Sequence, residues 1–140
     1  MDLTNVLHRL RSRNQPVPRP LRLPAADEVD DAERRLGIRF HPDFRRYLLE
    51  ASDVVCGVLE PVTITRPESH TDLFKVAASA WDAYGVPRDL LPICEFNADF
   101  YCMNSSGEVV YWSHNGWASE KWRSLAEWID QVWLEDLGQE

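Results

Sequence analysis

Residues 90–112 read Leu90-Leu91-Pro92-Ile93-Cys94-Glu95-Phe96-Asn97-Ala98-Asp99-Phe100-Tyr101-Cys102-Met103-Asn104-Ser105-Ser106-Gly107-Glu108-Val109-Val110-Tyr111-Trp112. The spacing predicts strands over 90–96, 100–103 and 108–112. Asn97-Ala98-Asp99 and Asn104-Ser105-Ser106-Gly107 predict tight turns, with Gly107 where a positive φ is needed. Three short strands joined by tight turns make an antiparallel meander.

Outward from the meander the signals change. Residues 69–84 predict a helix with Leu73, Phe74, Ala77, Ala80, Trp81 and Tyr84 on its inward side, ended by Gly85 and Pro87. Upstream, the β-branched run 54–59 predicts a strand with Gly57 inside it, and 62–65 a second short one after Pro61. Residues 27–36 predict a helix with acidic residues in its first turn and Gly37 as its C-terminal cap. Pro42 opens another, with Phe44, Tyr47, Leu48 and Ala51 inward. Downstream, Ser124-Leu125-Ala126-Glu127 is a capping box before a last helix with Leu125, Trp128, Ile129, Val132 and Trp133 inward.

At the N-terminus, Leu3, Val6, Leu7 and Leu10 form one apolar stripe on a short helix. Pro16, Pro18, Pro20 and Pro24 then forbid helix and favour an extended arm, lying over the surface or acting as a spacer. Residues 1–24 are read as this helix and Pro-rich arm, an appendage to a domain spanning 25–140. Strand runs separated by helices, without βαβ alternation, predict a single α+β domain. Its sheet is mixed or antiparallel and twisted, of about five to six strands with helices packed around it.

With 140 residues, 44% of them hydrophobic, the chain can bury one real core and is not intrinsically disordered. The net charge of −8 argues against a nucleic-acid or anionic-membrane partner and permits a basic protein. No stretch has the length of a membrane span or the form of an export signal, so a cytoplasmic location is expected. Cys56, Cys94 and Cys102 are odd in number and lack metal-ligand spacing. They read as buried reduced thiols. His8, His41, His70 and His114 read as surface or capping residues, and no cofactor or metal is expected. No Gly-rich phosphate loop or nucleophile motif is present.

Three stretches together resemble the SUKH superfamily, which includes the Smi–Knr cell-wall regulators of fungi and many bacterial immunity proteins. Residues 29–48 carry Leu36-Gly37, Phe40, Pro42 and aromatics on the second helix. Leu91-Pro92-Ile93 is similar to the family's Leu-Pro-Ile strand, and Asn97-Ala98-Asp99 opens the hairpin after it. Gly107-Glu108-Val109 with Ser124-Leu125 resembles the Gly-x-Val strand and the start of the last helix. The resemblance spans about residues 25–133. Two turns depart from it: Ala51-Ser52-Asp53-Val54 stands where many members carry Asn-Gly, and Asn97-Ala98-Asp99 where many carry Gly-Gly or Gly-Asp.

The resemblance implies an α+β fold and a non-enzymatic binding role. The function expected is an immunity protein that neutralises a bacterial toxin domain by direct binding. The alternative is a regulatory or scaffolding module that binds ordinary cellular proteins. The expected partner is a protein, such as a basic nuclease toxin domain, and the chain itself a monomer or weak homodimer. Trp112, Trp117 and Trp122 cluster in a turn-rich region, either as interface anchors or as a satellite cluster closing the sheet. The candidate contact residues are Trp112, His114, Trp117, Glu120, Glu95 and Asp99, with no catalytic residue.

Overall fold

The meander forms, with one strand more than its local pattern announces. Strands β1 (Leu91–Phe96), β2 (Asp99–Met103), β3 (Val109–Ser113) and β4 (Gly116–Trp122) pair antiparallel in that order. The structure is a computed structural model that describes residues 2–135 and, of residues 116–119, the backbone alone. The β1–β2 turn places Asn97 and Ala98 at φ 54° and 68°, the two positive values of a two-residue type I′ hairpin turn. Gly107 adopts φ 87°, as the turn chemistry predicts.

The fold class holds, but the expected five to six strands do not. Among the described residues the sheet has four strands, and all its pairings are antiparallel. The expected pair at 54–65 is reduced to isolated bridges, Pro61 with Cys94 and Thr63 with Asp72. Pro61 has no N–H to give, and β1 is bulged between Pro92 and Cys94. A single bond, Val62 N–H to Ile93 O at 2.9 Å, marks where that ladder would have run. Side chains from the core pin the segment instead. Tyr47 Oη donates to Val62 O and Trp133 Nε1 to Cys56 O, each at 2.8 Å. The strand that sequence reading missed, β4, holds Ser119-Glu120-Lys121 and lies at the sheet edge, where charge is ordinary.

The helices are α1 (Leu3–Ser12), α2 (Ala26–Leu36), α3 (Pro42–Ala51), α4 (Leu73–Ala78) and α5 (Leu125–Trp128). Gly37 caps α2 at φ 69°, and Ser124 Oγ accepts from Glu127 N–H at 3.1 Å to cap α5. Helix α4 starts later than the expected 69 because the Asp72 carboxylate takes the cap, accepting from Lys75 N–H at 3.2 Å. Helices α4 and α5 each widen into a π turn, at Ser79–Ala83 and Ile129–Trp133.

One core takes in residues of all five helices and the sheet, with α4 packed on β1 and α5 on β4. Leu3, Val6, Leu7 and Leu10 of α1 are all buried, and α1 packs on α3 and α5. The helix read as an appendage thus places its stripe inside the common core. A chain of ring contacts runs from Phe40 and Phe44 through Tyr47, Trp133 and Trp128 to Tyr101 on the sheet. Trp128 and Trp133 are core residues, as expected. Trp81 is only partly buried, its Nε1 donating to Leu90 O at 2.9 Å. The Pro-rich arm lies over the surface: Gln15 N–H reaches Val55 O at 2.7 Å, and Arg66 donates to Arg19 O at 3.2 Å.

Candidate functional site

Strand register brings one row of residues across the sheet. Glu95 of β1 faces Phe100 of β2, which faces Trp112 of β3, which faces Trp117 of β4. Directly opposed residues share a face, so Glu95, Phe100 and Trp112 point the same way. Phe100 is fully buried and forms the floor, with Trp112 partly exposed beside it at a ring distance of 6.0 Å. The Glu95 carboxylate is exposed and oriented, accepting from Ala98 N–H at 2.9 Å.

Tyr84 completes this surface. Its ring lies 5.7 Å from Phe100 and 6.4 Å from Trp112, and it is 41% exposed. Sequence periodicity places Tyr84 on the inward side of a regular helix. The π turn over Ser79–Ala83 inserts extra winding, and the residue after it leaves that side. A groove of about 250 Å³ runs between α4 and the sheet, lined by Lys75, Ser79, Tyr84, Glu95 and Phe100.

Alternation sends Asp99, next to Phe100, to the opposite face of the same sheet end, and the turn after β3 brings His114 to it. The Asp99 carboxylate accepts from the Tyr111 hydroxyl, from His114 Nδ1–H at 2.8 Å and from His114 N–H at 3.2 Å. Partial desolvation works against ionisation of Asp99, but these donors together outweigh it and hold its carboxyl below the usual range. Desolvation, then the bond to Asp99, pushes the Tyr111 phenol up. Phe96 pairs with Asp99 and is 41% exposed, an apolar residue that the sequence reading did not single out.

The six candidate residues therefore do not form one cluster. Glu95 and Trp112 share one face, and Asp99 and His114 the other. Glu120 is exposed on the edge strand, close enough for its charge to act on Tyr111. Trp117 stands opposite Trp112 in β4, but its side chain lies outside the described residues.

Burial pushes the thiols of Cys94 and Cys102 up to about 12, and raises that of Cys56. They stay protonated and poorly nucleophilic. His41 caps α3, accepting from Asp43 N–H at 3.1 Å, and His70 pairs with Glu60. Among the described residues no group of three or more His, Cys, Asp and Glu could hold a metal ion. Nor is any helix among them long and apolar enough to cross a membrane.

Residues 3–134 match a protein-family model, SUKH_5, described as SMI1-KNR4 cell-wall. That span takes in α1 and the arm, beyond the expected 25–133. A crystal structure of a protein from Pseudomonas syringae pv. tomato is 47% identical. It covers 94% of this chain and 98% of its own, with a TM-score of 0.90. No curated protein matches the chain.

Proposed function

The chain belongs to the SMI1-KNR4 cell-wall family, SUKH_5, and from that premise we propose that it works by binding another polypeptide and not by catalysis. The partner is a toxin domain of basic character, such as a nuclease, and the chain is its immunity protein. One observation supports this reading above the others: the row Glu95–Phe100–Trp112 with the half-exposed Tyr84 ring above it. Aromatic side chains on a rigid, partly desolvated surface are the usual anchors of protein interfaces. The net charge of −8 steers a basic partner toward the molecule and raises the encounter rate.

The test is co-expression with the toxin domain encoded beside the gene. The expected result is survival of the cell and a complex that persists through gel filtration. Trp112→Ala should weaken the complex by roughly ten-fold or more, the scale of a central aromatic anchor. Cell death together with no complex sinks the immunity reading. The same result leaves the regulatory or scaffolding reading, in which ordinary cellular proteins are the partners, as the one to test.

A further inference from the structure

A second concavity lies away from the sheet, under the Pro-rich arm. Pro16, Pro18 and Pro20 alternate with Val17, Arg19 and Leu21. The prolines keep this stretch out of a helix, and it bends at Pro18 and Arg19. Val17, Arg19 and Leu21 all line one cavity of about 280 Å³. The arm is its outer wall, and residues 54–71 are its inner wall.

The inner wall is divided. Val54, Cys56 and Leu59 are apolar, while Thr63, Ser69 and Thr71 bring hydroxyls. Those hydroxyls form a chain: Ser69 Oγ lies 2.8 Å from Thr71 Oγ1, which lies 2.9 Å from Thr63 Oγ1. Three hydroxyls hold three protons, and the two contacts use two of them. One O–H is left over to donate. Two arginines, Arg19 and Arg66, belong to the same lining, and Arg66 also lies 3.8 Å from the Glu68 carboxylate. Arg66 donates through Nη2 to the carbonyls of Arg19 and Pro20, at 3.2 and 3.3 Å, and so ties the arm to the body. Arg19 has no ion-pair partner among the described residues. Glu60 also reaches the lining, its carboxylate hydrogen-bonded to His70, and sets one acidic residue against the two arginines.

The lining therefore offers a surplus hydroxyl donor, two arginines against one glutamate, and apolar residues from both walls. Its volume is at the small end of the range for small-molecule sites. We infer that this cavity binds a small organic carboxylate with a short apolar body, the carboxylate held at Arg19 and the hydroxyl chain. The arm is rigid through its prolines and strapped by Arg66, so little ordering is needed on binding.

The experiment is an NMR titration of the full chain with hexanoate, with hexanol and inorganic phosphate as comparison probes. Hexanoate is expected to give saturable shifts of the amide signals of residues 17–21 and 63–71, at lower concentration than either comparison probe. Arg19→Ala removes an exposed side chain and leaves the other amide signals in place. It should weaken hexanoate binding about ten-fold, the weight of one charge-assisted hydrogen bond. The inference is overturned by no saturable response to hexanoate, by hexanol or phosphate binding as well or better, or by unchanged affinity in Arg19→Ala.

Discussion

The imidazole of His41 lies so close to the backbone of Gly107 that a β-carbon on Gly107 would stand 2.5 Å from His41 Nε2. The contact joins the β2–β3 turn to the start of α3, because the same imidazole accepts from Asp43 N–H. Gly107 is also held at φ 87°, where a side chain is strained. Gly107→Ala is therefore expected to lower stability by about 1–3 kcal/mol. A urea melt measures it. Shortening the neighbour relieves the clash but not the backbone strain, so His41→Ala with Gly107→Ala should cost less than the two single losses added together. An unchanged urea midpoint in Gly107→Ala would refute the contact.

Ala98 sits at φ 68° in the β1–β2 turn, in a conformation that suits glycine. Its backbone N–H, which donates to Glu95, is kept by any substitution other than proline. Ala98→Gly is expected to stabilise the chain by about 1 kcal/mol and raise Tm by a few degrees. A lower Tm would show that the alanine methyl contributes more than the strain costs.

What was legible in the sequence is what is decided locally. Gly37, Pro42 and Ser124 mark helix ends through their own local chemistry, and strands β1 to β3 are short apolar runs bounded by turn residues. Residues 54–65 mislead because Val54, Val55, Val62 and Ile64 suit a strand, while a ladder needs a continuous partner edge. The Pro61 ring and the β1 bulge remove that edge. Strand β4 is hidden for the converse reason: its pairing comes from β3, and Ser119-Glu120-Lys121 shows no apolar alternation. At the candidate surface, Glu95 and Trp112 were picked out singly, but their shared face follows only from register across three strands. The Asp99–His114 contact depends on the length of two turns, and the exposure of Tyr84 on a π turn that no spacing announces.

The apolar stripe of α1 makes a direct stability claim. Leu10 is fully buried, between α1 and the helices it packs on. Leu10→Ala should cost about 2–5 kcal/mol, read as a lower urea midpoint with an unchanged slope. A loss near zero would mean that α1 contributes little to the folded body.

Acid should loosen the junction of the arm with α2. The Arg22 guanidinium, bonded at 2.8 and 2.7 Å, and then the Ala25 N–H hold the Glu28 carboxyl down at about 2, from an ordinary 4.5. A depressed folded-state value contributes stability that is complete above the unfolded value and fades as pH falls through the folded one. The pair is exposed, so its effect is small. Glu28→Gln should therefore melt below the parent chain at about pH 6, with the gap closing toward about pH 2. A gap that is the same at both pH values would place the effect of Glu28 outside its charge.

The three free cysteines give a test that bears on mechanism. Cys56, Cys94 and Cys102 are buried, and burial pushes the thiols of Cys94 and Cys102 up to about 12. At about pH 8 fewer than roughly one in a thousand such thiols is ionised, and the thiolate is the species that reacts. Folded chain mixed with a disulfide reagent such as DTNB should release almost no chromophore over minutes, and guanidinium should then release it from all three cysteines. The slow folded-state reaction should follow the opening of the core, so Leu10→Ala should accelerate it about ten-fold for each ~1.4 kcal/mol of stability lost. Fast reaction of the folded parent would mean an ionised thiol open to solvent, and would restore cysteine chemistry as a rival to a purely binding role.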